Sequence, residues 1–431
     1  MPHLTRRGFV QLGSLGVVGL SLPEVLLARE KQAASARKDT AVILYWMGGG
    51  PSHIDTFDPK PDAPVEVRGP FGSIAAAPGM RICELLPNLA RVGNKFAVVR
   101  SMTHYDSNHS DAAHLVQTGY HEKNVQFRGQ ISPAQGSFVA KLRGANAHGL
   151  PPYVCIPDAY FARQGFFQLA TYLGKEFDPV NSGGEPTFRF TNPGPSFSLP
   201  ADITADRANS RRLLLDKLNR GNTSEGLDAA YRKAFDLITS RAARDAFDLS
   251  REPERLRERY GVTPWGRGAL LARRLVESGV TFVTVNHYEA DVDWWDDHYD
   301  IEKNLKRRLP LFDRALGALI EDIHARGLAE RVMVVAMGEF GRSPKIDSQA
   351  GRGHWSKAMS VLIAGGGVKG GGVIGATTAN GGEPASDPHV PGDVLATIYQ
   401  HLGIDSTEML PDRQNRPVRL VEHGEPIREL F

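Results

Sequence analysis

Six short apolar runs that lack a polar face, separated by longer stretches with helical periodicity, constrain this chain more than any other feature. Residues 41–47 read Ala-Val-Ile-Leu-Tyr-Trp-Met and stop at Gly48-Gly49-Gly50-Pro51. A strand with one face in water alternates polar and apolar residues, so a run without alternation must be covered on both faces. Residues 96–99, 153–156, 280–285, 332–336 and 360–364 repeat the pattern, interrupted only by Ser or Thr. Between them, the clearest helix pattern sets Leu305, Leu309, Phe312, Leu316, Leu319 and Ile323 four and three residues apart by turns. That is one face of a 3.6-residue period, with Pro310 expected to kink or restart the helix. Strands separated by helices predict an α/β fold, a mostly parallel central sheet flanked by helices. A ligand site in such a fold lies beyond the carboxyl ends of the strands.

With 431 residues, 41% apolar and 23% charged, the chain can bury a large core, which excludes wholesale disorder and a disulfide-dense miniprotein. The sequence shows no internal repeat. The expected organisation is a single domain over 37–431. It carries an irregular insertion at about 157–209, rich in Phe, Gly, Pro and Asn, and a helical one at about 225–260. Lys and Arg number 51 against 49 Asp and Glu, without long single-sign blocks, so no electrostatic footprint for nucleic acid exists. Cys83 and Cys155 form no CxxC and are expected to be buried thiols, or at most one disulfide.

At the N-terminus, Thr5-Arg6-Arg7-Gly8-Phe9-Val10 precedes a mildly apolar stretch over 12–27, and Ala34-Ser35-Ala36 follows. This resembles a bacterial twin-arginine export signal ending near residue 36, with the translocation machinery as its partner. Gly13, Gly16, Gly19, Pro23 and Glu24 make the stretch a poor spanning helix. The expectation is an exported protein, periplasmic or extracellular, with no stable membrane span.

Polar residues gather where the fold rule puts a site. After the first run come Ser52, His53, Asp55 and Asp58; after the second, His104, Asp106, Asn108, His109, Ser110, Asp111 and His114. His287, Glu289, Asp291, Asp293, Asp296, Asp297 and His298 follow residues 280–285; Glu339, Arg342 and, past a loop, His354 follow 332–336. Imidazole with carboxylate and no thiolate suits a divalent metal, Zn, Mn or Fe ahead of Ca or Mg. Other motifs fail. Residues 365–370 match GxGxxG but no helix pattern follows, residues 48–52 lack the Lys of a phosphate loop, and no GxSxG occurs. His109 and His114 are separated by about 140° on a helix, so any metal site must come from distant segments.

Several motifs together carry a resemblance. They are Arg6-Arg7, Met47-Gly48-Gly49-Gly50-Pro51-Ser52-His53-Ile54-Asp55-Thr56-Phe57-Asp58-Pro59-Lys60, Trp295-Asp296-Asp297-His298, Met337-Gly338-Glu339-Phe340-Gly341-Arg342-Ser343-Pro344 and Gly351-Arg352-Gly353-His354-Trp355. They resemble the bacterial family known as domain of unknown function 1501, placed with the alkaline phosphatase and sulfatase superfamily. Leu115 to Tyr120 is similar to the end of that superfamily's nucleophile helix, which puts the nucleophile near His109 or Ser110. Glu339-Phe340-Gly341 is similar to its Asp-His-Gly metal motif.

The resemblance implies an exported, metal-dependent hydrolase of phosphate, sulfate or related esters, acting on an anionic small molecule or polysaccharide. Its alternative is a non-catalytic relative that binds an envelope or extracellular ligand. Gly48 and Gly49 stand where the first metal Asp belongs, and Phe340 stands in place of a ligand His. The implied metal set is therefore His109, Asp296, His298, Glu339 and His354, with His53 or Asp55 replacing the missing ligand. His109 acts as ligand or base, Ser110 is the neighbouring nucleophile candidate, and Arg342 or Arg352 clamps the anion. Attack by metal-activated water is expected ahead of a covalent intermediate.

Overall fold

Consecutive side chains of the first strand, β1 (Ala41–Trp46), enter opposite cores: Ala41, Ile43 and Tyr45 one, Val42, Leu44 and Trp46 the other. That is why the run has no polar face. The computed structural model describes residues 39–159, 167–183, 239–286 and 295–431, with Arg207, Ser210 and Leu214 besides. Seven further strands join β1 in one sheet: β2 (Phe96–Met102), β3 (Tyr153–Ile156), β4 (Val180–Asn181), β5 (Phe282–Asn286), β6 (Val332–Met337), β7 (Met359–Gly365) and β8 (Val373–Ile374). Their order is β8-β2-β7-β6-β1-β5-β3-β4. The register sets Ile43 opposite both Val283 and Val334 in parallel pairs. All six expected strands are therefore neighbours in a mostly parallel sheet. Only β7 runs against its neighbours, with Leu362 opposite Val98 and Ala336.

Helices α1 (His109–Thr118), α2 (Gln135–Leu142) and α5 (Pro391–His401) cover one face; α3 (Pro264–Ser278) and α4 (Ile301–Ala325) cover the other. The six spaced apolar residues of α4 are all buried. Each such side chain contributes about 1.5–3 kcal/mol of burial. Pro310 does not restart α4, which runs unbroken through it. It lies on the exposed side, where the carbonyl it leaves unbonded can turn to water. Phe312 packs edge-on against Tyr45, with centroids 5.5 Å apart, and against Trp295 at 5.2 Å. This contact ties the loop after β5 to the core.

The compact unit carrying the sheet runs from Thr40 to Phe431. Where described, the 157–209 stretch supplies two short 3-10 turns and the edge strand β4; the 225–260 stretch supplies helices Arg241–Phe247 and Glu254–Tyr260. Residues 1–36 lie outside the described residues. Among the described residues, no helix is long and apolar enough to cross a membrane. Cys83 and Cys155 are buried free thiols.

Candidate metal centre

The carboxyl edge of the sheet gathers loops from four strands and the approach to a fifth. His109 opens α1 after β2, and its position is fixed by Asn108, whose Oδ1 accepts from the backbone N–H groups of Ser110 (3.0 Å) and Asp111 (3.2 Å). After β5, the residues of Trp295-Asp296-Asp297-His298 go separate ways. Trp295 is buried in the aromatic core, while Asp297 forms a two-pronged bond with Arg308 (2.8 and 3.2 Å), both about 1% exposed. That leaves Asp296 and His298 facing the edge. His354 precedes β7, which is antiparallel, so the start of β7 lies at the same edge as the ends of its neighbours.

His109, Asp296, His298 and His354 each bring one donor atom to a common point, and these atoms all lie within 4.8 Å of one another. Asp296 Oδ1 is 3.3 Å from His109 Nε2, 3.1 Å from His298 Nε2 and 3.3 Å from His354 Nε2. The Nε2 atoms of His298 and His354 are 2.8 Å apart. Four ligands at about 2.0–2.2 Å from a tetrahedral ion stand roughly 3.3–3.5 Å from one another; the three Asp296 separations are close to that, while the imidazoles of His298 and His354 stand closer together. The tautomers fit as well. His354 Nδ1 donates to Ser107 O (2.9 Å), and His109 Nδ1 donates to Glu339 Oε1 (2.6 Å). Both rings therefore present an Nε2 lone pair to the cluster when neutral. His109 Nε2 is buried and makes no well-directed hydrogen bond. Side-chain exposure rises from 11% at His109 to 42% at His298, so the cluster opens to solvent on the His298 side.

Glu339, expected as a ligand, stands behind His109 instead. Its carboxylate accepts from Gly49 N–H (2.9 and 3.1 Å) as well as from His109, and His104 Nε2 donates to its backbone carbonyl (2.7 Å). Neither Gly49 nor His104 was legible as a support, because backbone donors and distant contacts leave no sequence pattern. Phe340 packs 4.9 Å from the His109 ring and 4.8 Å from that of His354, against Gly50. Any side chain at Gly50 would meet this ring, and its φ of +77° also favours glycine. Glu339→Gln is expected to lower metal affinity about 10- to 100-fold while the four donors remain, a loss measurable by competition with a chelator.

Arg342 is fully buried and reaches inward. It donates to Asp296 Oδ1 (2.5 Å), Gly50 O (2.7 Å), Trp295 O (3.1 Å) and Gly49 O. Burial opposes a charge on Asp296, but the bonds from His109 and His354 and the Arg342 charge outweigh it, holding Asp296 far below the usual carboxylate range. Burial likewise disfavours charge on His109, but Asp296 and Glu339 prevail and raise its pKa to about 9. A metal entering the cluster must therefore displace that proton.

The remaining candidates lie elsewhere. Asp55 pairs with Arg352 Nε (2.7 Å), both fully buried, and accepts from Ser52 Oγ (2.5 Å). His53 Nε2 donates to Gly381 O (2.8 Å). Neither His53 nor Asp55 replaces the missing ligand, and neither Arg342 nor Arg352 faces out to clamp an anion, because each is consumed by an internal carboxylate. Ser110 is buried at the second position of α1. His287, Glu289, Asp291 and Asp293 lie outside the described residues.

His114 donates from Nδ1 to Tyr120 O (2.9 Å) and accepts at Nε2 from Ser132 N–H (3.3 Å), a structural role for a neutral ring. Burial lowers the pKa values of His53, His104 and His114. As pH falls through about 6.5 the unfolded chain takes up protons that these folded rings resist, so stability is lost, at up to about 1.4 kcal/mol per pH unit for each group. His109 acts in another window: its contribution is complete below about 6.5 and disappears as pH rises toward 9. Metal-free protein is thus expected to melt lower at pH 5 than at pH 7, and His114→Gln to flatten that slope.

An α/β protein with a three-histidine, one-carboxylate cluster beyond the carboxyl edge of its sheet is the class these features define. The chain belongs to the family described as "Protein of unknown function (DUF1501)", whose model matches residues 39–431. No functionally curated protein matches it. Among solved structures it is similar to the lipoteichoic acid synthase LtaP from Listeria monocytogenes, at 13% identity and TM-score 0.35, covering 86% of this chain and 74% of that one. It is also similar to the PsFucS1 sulfatase from Pseudoalteromonas sp., at 10% identity and TM-score 0.34, covering 87% and 72%. A third is a mutant of TAB5 alkaline phosphatase with Mg bound, at 12% identity and TM-score 0.36, covering 85% and 98%. All three are distant in sequence and in shape.

Proposed function

We propose that this protein binds one divalent transition metal through His109, Asp296, His298 and His354 and hydrolyses an anionic phosphate or sulfate ester. Its place of work is the periplasm or the cell exterior, to which the Arg6-Arg7 segment directs it. The convergence of four donors within 4.8 Å of one another, with the Asp296 carboxylate 3.1–3.3 Å from each imidazole, carries the reading. A metal held there supplies an acidified water and polarises an ester oxygen. The chain's own residues prepare the site. Arg342 keeps Asp296 ionised and aimed at the cluster, Glu339 holds His109 in the tautomer that offers Nε2, and the solvent-facing side at His298 leaves room for water and substrate. The first position of α1 is a donor, His109, where the resembled superfamily carries its nucleophile, which supports direct attack by water over a covalent intermediate.

A second reading has one observation in its favour. Four protein donors is the number found in closed, structural zinc sites, whereas catalytic sites commonly use three. On that reading the metal braces the carboxyl edge and the protein only binds its ligand. Turnover of 4-nitrophenyl phosphate and 4-nitrophenyl sulfate by zinc-, manganese- and iron-loaded protein separates the two. Hydrolysis that ceases with chelation and in His298→Ala, but persists in the exposed His148→Ala, is the expected result. Tight metal with no turnover on either ester supports the second reading.

A further inference from the structure

A groove of about 640 Å³ opens beside the metal centre, and His354 belongs to both. That volume suits an organic molecule rather than a bare ion. Its lining includes Trp355, Lys357, Tyr105, His121 and His423. Tyr105 is 77% exposed, and its ring meets His121 edge-on at 5.0 Å, which Asp106 holds in turn at 2.8 Å. Trp355 is fixed by an indole N–H bond to Gly382 O (2.5 Å), with Lys357 Nζ 5.8 Å from its ring centroid. Two aromatic side chains in a groove offer faces on which a ring-bearing ligand can stack. Lys357 is exposed and, among the described residues, makes no ion pair, while Arg342 and Arg352 are consumed by Asp296 and Asp55. Lys357 is thus the cation on this wall left to balance an incoming anion.

We propose that the groove holds the body of the substrate and that the substrate is a ring-bearing anionic ester. The ring lies against Tyr105 and Trp355, Lys357 balances the charge, and the ester group is presented at His354. This rests on the metal-centre reading above. Binding of inorganic phosphate, phenylphosphonate and glucose 6-phosphate to the whole protein, with and without zinc, tests it by calorimetry. At least one ring-bearing probe is expected to bind about tenfold more tightly than inorganic phosphate, and Tyr105→Ala to remove that advantage. Lys357→Met is expected to weaken all three about fivefold and Lys357→Arg to restore them, with zinc content unchanged in every variant. A preference for phenylphosphonate assigns an aryl ester; a preference for glucose 6-phosphate assigns a glycosyl ester. Equal affinity for the three probes, or affinities unmoved by Tyr105→Ala and Lys357→Met, would overturn the proposal. Ring preference in protein that binds none of zinc, manganese and iron keeps the groove and removes the metal reading; bound metal without ring preference does the reverse.

Discussion

Asp296→Ala is expected to weaken metal binding more than 100-fold, because removal of an outer support alone costs about 10- to 100-fold and Asp296 Oδ1 is the atom the three Nε2 nitrogens share. The same change strands the Arg342 charge. Breaking a fully buried pair costs about 3–5 kcal/mol, but Asp296 is 24% exposed and Arg342 keeps its backbone carbonyl acceptors, so about 2 kcal/mol is expected here. Asp296→Asn separates the two effects. Its amide oxygen still accepts from Arg342, so urea unfolding should shift by no more than about 1 kcal/mol, while a neutral amide is a poor ligand and metal affinity should still collapse. Equal loss of stability in both variants with metal affinity intact would make Asp296 a structural residue only.

Arg352→Met is expected to destabilise the fold by about 3–5 kcal/mol, read as a lower urea midpoint, because it leaves Asp55 charged and fully buried. The guanidinium also donates to Val67 O (2.8 Å) and Ser343 O (3.2 Å), joining three separate segments of the chain. Asp55→Asn combined with Arg352→Met removes both charges and should recover more than half of the loss. An anion clamp would behave differently: the single variant would keep its stability and raise KM. Near-wild-type unfolding of Arg352→Met would return that residue to the ligand-binding role its sequence motif implied.

The central strands were legible because a run such as Ala41 to Trp46, buried on both faces, admits no polar residue. The edge strands β4 and β8 were not, since two residues carry no period. The reversed direction of β7 was equally hidden, because an apolar run reads the same either way. Yet that reversal brings His354 to the carboxyl edge.

The site was legible as a set of strand ends but not as a division of labour. Asp296 and Asp297 are neighbours of identical chemistry, and only the folded positions of Arg342 and Arg308 decide which one faces the cluster. Glu339 and Arg342 carry the right chemistry for a ligand and an anion clamp. Gly49 and Asp296, both far away in sequence, turn them into supports.

Elemental analysis of protein purified from its native host tests the account most directly. About one divalent transition metal per chain is predicted, retained through purification, lost in Asp296→Ala and retained in His148→Ala. Protein that contains no such metal and binds none on titration with zinc, manganese or iron, or that holds equal metal in both variants, would contradict it.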